Sequence, residues 1–155
     1  MKKTDLAYIA GIVDGEGCIQ INYRQQCHSY DCQASVVDTK QWLIEWLKFS
    51  FGGRTVTVKR KETEGNKKDC SRWYTRTYEA LPFLESIYPY LRLKKPQAEI
   101  AIKFLKVRKD RKAGEKPGRG RVMAEAEKIL FQSQADEMAK LNKRGKVQIN
   151  IRRKS

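Results

Sequence analysis

Residues 6–17 have the sequence LAYIAGIVDGEG, in which eight apolar or aromatic residues lead into a short acidic turn. At about 3.6 residues per turn, such a run forms a helix that is apolar on every side and is therefore buried on every side. Its three stripes are Leu6, Ile9 and Val13; Tyr8 and Ile12; and Ala7 and Gly11. One side is predicted to cover a sheet, and the stripe of small residues is predicted to lie against another helix.

The partner of the small stripe is predicted to be a second copy of the chain, because the sequence contains only one such run. A two-fold contact of this kind places the same surface of both subunits face to face. The predicted interface residues are Ala7, Ala10, Gly11 and Asp14. The helix itself is predicted from about Thr4, as the N-cap residue, to Asp14. Gly15 and Gly17 are expected to end it.

The acidic turn would bring Asp14 and Glu16 of both subunits together at the end of the helix pair. Clustered carboxylates repel each other unless cations neutralise them. Mg²⁺ is typically held by one or two carboxylates, water and substrate phosphates. Two such sites beside a phosphate ester would indicate metal-assisted hydrolysis. The alternative, from the residues alone, is a polar helix stop without chemistry.

Polar and apolar residues alternate after this turn, as in half-buried antiparallel strands. Two strands are predicted on either side of a turn near His28, and two more around residues 55–61 and 72–77. In the last strand, Trp73 and Thr75 are expected to point inward. Between the two strand pairs, apolar residues recur at helical spacing and a Gly-Gly pair ends the helix. They are Trp42, Leu43, Trp46, Leu47 and Phe51, followed by Gly52 and Gly53.

Helices resume near residue 79, where Pro82 and Pro89 are expected to interrupt the chain and Pro96 to open a new helix. A basic, glycine-rich loop is predicted at residues 112–121, a final helix at 122–142 and a basic tail at 143–155. The order αββαββα with extra C-terminal helices predicts an α+β fold, in which helices back a four-stranded antiparallel sheet. The prediction is a single domain over residues 1–155 with its core at about 4–110.

The charge indicates a polyanionic partner. The 155 residues contain 33 Lys and Arg against 18 Asp and Glu, a formal net charge of +15. Nucleic acid is the leading candidate and an anionic membrane surface the second. No run approaches the ~18 apolar residues that span a bilayer, and no signal peptide is expected.

One face of the predicted sheet is polar but almost free of acidic residues. Gln, Asn and Arg form bidentate hydrogen bonds to base edges, and Lys and Arg neutralise phosphates, so this face is predicted to bind the DNA major groove. Its residues are Gln20, Asn22, Arg24, Gln26, Ser29, Asp31, Gln33, Ser35, Thr55, Thr57, Lys59, Lys61, Arg72, Tyr74 and Arg76. The alternative is an ordinary solvated surface.

The cysteines are expected to be reduced thiols of an intracellular protein, in a prokaryotic cytoplasm or an organelle, because a domain of this size does not need disulfides. They are Cys18, Cys27, Cys32 and Cys70. A zinc site of Cys27, His28, Cys32 and Cys70 is the alternative for three of them, but its spacing fits no common pattern.

Residues 9–17, IAGIVDGEG, resemble the nine-residue signature of the LAGLIDADG homing endonucleases. The order of elements, the helix exit at residues 51–53 and the sequence YLRLKKPQA at residues 90–98 match this family as well. The resemblance covers about residues 4–110. A single motif in a chain of this length implies the homodimeric branch, in which a saddle-shaped sheet lies in the major groove.

The resemblance implies the active site. Glu16 occupies the position of the metal-binding acid, where the family more often has Asp, and the backbone carbonyl of Gly15 would be a second ligand. Lys94 matches the family's basic active-site residue, which stabilises developing phosphorane charge or positions the attacking water; Lys95 is the alternative. Roughly two or three divalent ions, expected to be Mg²⁺, would serve the dimer.

The start of the second helix normally holds the water network in this family. Asp38 and Lys40 fall there, with Gln41 as the alternative. The family cuts both strands across the minor groove between two half-sites and leaves short 3′ overhangs. Some members instead act as maturases on intron RNA, and a non-cleaving DNA-binding protein of the same fold is a further alternative. The presence of Glu16 and Lys94 favours cleavage, because RNA binding requires neither.

Overall fold

The computed structural model describes residues 1–59, 69–113 and 123–143. The helices are α1 (Lys3–Glu16), α2 (Gln41–Phe51), α3 (Thr77–Ile87), α4 (Lys95–Ala113) and α5 (Glu125–Asn142). The strands are β1 (Gly17–Arg24), β2 (Ser29–Asp38), β3 (Arg54–Val58) and β4 (Cys70–Tyr74). Short 3₁₀ turns follow β1 and α3. Of the helices described, none has the length and apolar character needed to cross a membrane.

The four strands form one antiparallel sheet in the order β1-β2-β4-β3. The turn between β1 and β2 passes through His28, whose φ of 42° and ψ of 45° are left-handed. Ile19 pairs with Ala34 and Ile21 pairs with Cys32, so the apolar residues of this hairpin share one face, as their period of two predicts. The predicted α+β fold, a four-stranded antiparallel sheet backed by helices, is confirmed.

The core lies between the apolar face of the sheet and the helices. Trp73 is fully buried there, with its ring 4.9 Å from that of Phe83. Its indole N–H donates a hydrogen bond of 2.8 Å to the carbonyl of Gly52, the kind of partner that a buried tryptophan requires. The other large, fully buried side chains include Ile9, Ile19, Ile44, Leu47, Leu84, Ile87, Phe104 and Phe131.

Helix α1 is longer than predicted at both ends. Lys2, rather than Thr4, precedes its first turn, and the helix continues through Gly15. The change from helix to strand occurs at Gly17, where an added Cβ would lie only 2.6 Å from the carbonyl oxygen of Val13. The helix therefore ends at Gly17, where the backbone passes too close to the preceding turn for any side chain to fit.

Strand β3 shows the opposite faces to those predicted. Thr55 and Thr57 share the face of Trp73 and point toward the helices, so their assignment to the DNA-binding face is wrong. Val56 pairs with Arg72 on the outer face and is 48% exposed. Because side chains alternate along a strand, a shift of one residue exchanges the two faces of the whole strand.

The physical reason for this exchange is the tight connection between α2 and β3. Gly52 and Gly53 have φ values of 71° and 81°, which L side chains rarely adopt. A Cβ on Gly53 would lie 2.9 Å from Nε1 of Trp73 and 2.7 Å from the carbonyl oxygen of Tyr74. The chain thus passes directly over the buried tryptophan before β3 begins, and this passage sets which side of the strand faces inward.

The C-terminal half contains two further corrections. Helix α3 continues through Pro82, which was expected to interrupt it. Helix α4 runs to residue 113, so the loop predicted at residues 112–121 does not begin at 112. The rest of that loop and the tail beyond Lys143 lie outside the described residues.

Candidate functional site

The C-terminal end of α1 presents an exposed carboxylate beside the carbonyl groups of the last helical turn. Glu16 is exposed, and it makes no hydrogen bond or ion pair with another residue among those described. The carbonyl of Gly15 belongs to the last turn of the helix, where carbonyl groups lack the usual partner four residues on. The helix dipole adds negative potential at this end. All three features attract a cation.

Asp14 is directed to the neighbouring turn instead. Its Oδ2 accepts a hydrogen bond of 2.8 Å from the backbone N–H of Arg92, and its Oδ1 accepts one of 2.8 Å from the N–H of Lys94. Burial raises the pKa of this carboxyl, but the backbone N–H groups of Lys94, Arg92 and Leu93 and the charge of Lys94 outweigh burial and hold the pKa below its usual 3.8. These contacts engage the carboxylate within its own chain, and the place of Asp14 in the dimer interface stays a prediction.

Lys94 lies at the same end of the helix. Its Nζ donates a hydrogen bond to the backbone carbonyl of Asp14, one residue before Gly15. Lys95, the alternative basic residue, places its Nζ 5.1 Å from the centre of the Tyr88 ring. The tertiary structure therefore brings Lys94, and not Lys95, onto the tip of α1.

The brace formed by Asp14 has a measurable consequence for stability. We expect Asp14→Asn to lower the free energy of unfolding at pH 7 by about 1–3 kcal/mol, because a hydrogen-bonded charge is lost. Since the folded pKa is depressed, this contribution is present above the unfolded pKa, near 3.9, and is lost as the pH falls through the folded pKa. Urea unfolding of both proteins at pH 7 and pH 3 tests this.

The matched control is Glu137→Gln, which neutralises an exposed carboxylate on α5. It should change the free energy of unfolding by no more than about 0.5 kcal/mol. An Asp14→Asn difference that is equal at pH 7 and pH 3 would contradict the proposed role of the charge.

The junction of β2 and α2 lies at the edge of the sheet where β1 begins. Asp38 is the last residue of β2, and its Oδ1 accepts a 2.7 Å hydrogen bond from the backbone N–H of Lys40. Lys40 is exposed immediately before α2. Gln41, the alternative, accepts a 2.6 Å hydrogen bond from the hydroxyl of Ser71, which shares the helix-facing side of the sheet with Trp73. The roles of Asp38 and Lys40 in the active site stay predictions.

The donor atoms at the tip fit Mg²⁺ shared with a substrate. The described residues include no group of three or more His, Cys, Asp or Glu side chains placed to hold a metal ion. Mg²⁺ does not need one, because one or two carboxylates suffice when phosphate oxygens and water complete the octahedron. Glu16 and the carbonyl of Gly15 supply the hard oxygen ligands that this ion prefers. Of the proposed zinc ligands, Cys32 is buried under the sheet and Cys27 is exposed in the turn.

A hydrogen-bonded network crosses the outer face of the sheet. Gln33 Oε1 accepts a hydrogen bond of 3.1 Å from Gln20 and one of 2.8 Å from Arg72. The same guanidinium donates to the hydroxyl of Ser35 at 3.2 Å and lies 5.8 Å from the centre of the Tyr74 ring. The network holds Arg72 in one orientation. Its hydrogen-bond acceptor Ser35 is only 4% exposed.

A second arginine is fixed at the far end of the hairpin. Arg24 donates to one carboxylate oxygen of Asp31, and Thr77 donates to the other. Asp31 is itself only 9% exposed, so it offers little surface to a ligand. The one acidic residue predicted on the DNA-binding face therefore orients an arginine.

The remaining residues predicted to bind DNA are distributed around this face. Asn22 is exposed on β1, and Ser29 begins β2. Exposed residues outside the strands are Gln26 in the 3₁₀ turn, Lys59 after β3 and Arg76 before α3. Lys61 lies outside the described residues.

The outward side of α1 is apolar and exposed. Ala7 and Gly11 lie on it, and a Cβ added to Gly11 or Gly15 would meet nothing within 4 Å. Nothing in the described part of the chain therefore explains why these positions are glycine. Ala10 has no exposed surface and belongs to the core, so its assignment to the dimer interface is wrong.

Helix α2 extends this apolar surface with residues that the sequence analysis did not assign to a site. The Tyr8 ring of α1 lies 6.1 Å from that of Trp46, and Tyr8 is 52% exposed. Trp42 is 57% exposed and Phe49 is 91% exposed. Trp46 and Phe49 follow Trp42 by four and seven residues, so the three side chains form a second stripe along α2. This stripe is separate from the buried stripe that contains Leu43 and Leu47.

Solved structures share this architecture. I-CvuI, a homing endonuclease in complex with its target in the presence of calcium, matches with a TM-score of 0.65 and 21% identity over 93% of this chain and 85% of its own. I-Vdi141I, an archaeal intron-encoded homing endonuclease complexed with DNA, matches with a TM-score of 0.68 and 15% identity over 94% and 88%. The chain has the LAGLIDADG homing endonuclease fold.

The same fold occurs within longer proteins. The LAGLIDADG homing endonuclease I-GzeII, in complex with its DNA target, matches with a TM-score of 0.55 and 15% identity over 86% of this chain but only 41% of its own. No protein-family model and no curated protein matches the sequence. The fold is therefore shared with proteins whose sequences are only 15–21% identical to this one.

Proposed function

We propose that this chain is a homodimeric, Mg²⁺-dependent, site-specific DNA endonuclease encoded within an intron. The observation that carries the proposal is the tip of α1. There an exposed Glu16, which has no partner among the described residues, lies next to the carbonyl of Gly15, with Lys94 bound to the preceding residue. This tip adjoins the first residue of β1, so it lies at the margin of a polar sheet face suited to the major groove.

The residues at the tip have separate tasks. When bound, Mg²⁺ polarises the scissile phosphate and lowers the pKa of a coordinated water. Glu16 and the carbonyl of Gly15 would hold the ion. The ammonium of Lys94 lies where it can stabilise negative charge that develops on the phosphate. Asp14 positions Lys94 by accepting hydrogen bonds from the backbone N–H groups of Arg92 and Lys94. Asp38 and Lys40 border the site on the β2 side.

A second copy of the chain completes the site. The exposed stripe of Ala7 and Gly11 lets two α1 helices approach closely about a two-fold axis. The neighbouring aromatic side chains of Tyr8, Trp42 and Phe49 would then be covered rather than left in water. The chain also spans only 41% of I-GzeII, so a second copy would supply a comparable length.

Two sheets related by a two-fold axis would read two half-sites. The target is therefore a long and roughly palindromic duplex, cut on both strands between the half-sites with short 3′ overhangs. Arg24 and Arg72, each fixed by its own network, supply guanidinium groups that suit guanine, while exposed lysines contact phosphates. The net charge of +15 favours association with the duplex.

Cleavage of a randomised duplex library tests the proposal. With Mg²⁺ we expect cleavage at one family of related, two-fold symmetric sequences. With Ca²⁺ we expect binding to the same sequences with little cleavage, because the two ions differ in size and coordination. A metal-independent pattern, or retention of intron RNA in preference to every duplex, would overturn it.

A further inference from the structure

Among the side chains that the structure describes, two exposed valines lie on the outer face of the sheet between polar neighbours. Val37 is 40% exposed and Val56 is 48% exposed. The strand register pairs both with Arg72, so the three residues form one row across β2, β4 and β3. Two inter-strand spacings of about 4.8 Å separate the valines by roughly 10 Å, within the ~12 Å width of the major groove.

Arg72, which lies between the two valines, is held in one orientation, and its side chain is directed away from them. Arg72 reaches across the sheet to Ser35 and Gln33, and its Nε is buried without a hydrogen-bond partner in the described residues. Its side chain therefore does not cover the valines on either side. An isopropyl group on this face can neither donate nor accept a hydrogen bond, so it cannot recognise the polar edge of a base.

The apolar feature that DNA displays in the major groove is the C5-methyl group of thymine. We propose that Val37 and Val56 are specificity-determining residues that select a 5-methylpyrimidine at two positions of each half-site. This inference rests on the proposed DNA-binding function and adds the base that the central row requires. Guanine and adenine present acceptors at the corresponding place, and pairing them with a valine would leave those acceptors without water or a partner.

Replacing thymine with deoxyuridine tests the inference, because it removes only the methyl group and leaves base pairing unchanged. The preferred duplex is first selected from a random library in Ca²⁺, and each thymine of one half-site is then replaced in turn. We expect two replacements to weaken binding about fourfold each, the equivalent of ~0.8 kcal/mol for one buried methyl-sized group. Val37→Ala and Val56→Ala should each remove the discrimination at one of the two positions.

Thr57→Ala is the matched control. It shortens the exposed side chain of Thr57, which lies next to Val56 on the same strand but on the helix-facing side of the sheet. It should leave the preference for thymine over deoxyuridine intact at every position. Loss of preference in this variant as well would show that the strand, and not the valine, sets it, which overturns the inference.

The outcomes separate the inference from the function beneath it. A selected duplex that is bound equally with thymine or deoxyuridine, or that lacks thymine in both half-sites, overturns the role of the valines and leaves the endonuclease proposal standing. Failure to select any duplex overturns both.

Discussion

Replacement of Glu16 with Gln is expected to abolish DNA cleavage while sequence-specific binding survives. The amide keeps the size of the side chain but loses the charge proposed to hold Mg²⁺, and Glu16 makes no contact among the described residues on which the fold depends. Loss of one group that stabilises a transition state typically costs a hundredfold to a thousandfold in rate, and loss of the only carboxylate ligand should cost at least about a thousandfold. Single-turnover cleavage of the selected duplex in Mg²⁺, with binding measured in Ca²⁺, gives both quantities.

The control for Glu16 is Glu125→Gln, which neutralises an exposed carboxylate in the first turn of α5. It should cleave at the rate of the original chain. Undiminished cleavage by Glu16→Gln would rule out Glu16 as the metal ligand and, with it, the mechanism proposed for the tip of α1.

Gly11→Leu is expected to convert the proposed dimer to a monomer and to remove cleavage with it. Two helix backbones in close contact leave no room for a leucine at this position, and each subunit supplies only one acidic tip. The monomer itself should fold, because a Cβ at position 11 meets no atom within 4 Å and leucine favours a helix over glycine by about 0.8–1 kcal/mol. Sedimentation velocity and circular dichroism report the two properties separately.

A leucine added elsewhere on a helix surface provides the comparison. Ala126→Leu places it on an exposed position of α5, away from α1. This variant should sediment as the original chain does and retain cleavage. A Gly11→Leu protein that remains dimeric and active would mean that the chains associate through a different surface.

Much of the fold follows from local sequence patterns, which do not depend on residues elsewhere in the chain. The alternation of Ile19, Ile21, Tyr30 and Cys32 is a period of two, and their burial on one face needs only a sheet with one covered side. The left-handed turn at His28 and the end of α2 at Gly52 are likewise local events. Each was predictable because the physical cause lies within a few residues of its effect.

The faces of β3 were not predictable in this way. Its sequence Arg-Thr-Val-Thr-Val alternates, but threonine and valine are both β-branched and nearly equal in size, so polarity alone does not identify the inner side. The decision comes from Trp73, on a different strand, and from the close passage of Gly53 over its ring. Val56 consequently became visible as an outward residue only when the strands were paired.

The same distinction between local and long-range causes applies to the candidate site. The sequence by itself determined the amphipathic pattern of the hairpin, the helix apolar on all sides and the acidic residues at its tip, because these depend on the order of neighbouring side chains. Only the tertiary structure decided that Asp14 holds the 92–94 turn, that Lys94 rather than Lys95 reaches the tip, and that Ala10 is core while Gly11 faces outward. These three results depend on contacts between residues about 80 positions apart or on which side of α1 meets the sheet, and the free energy of packing, not local sequence, selects them.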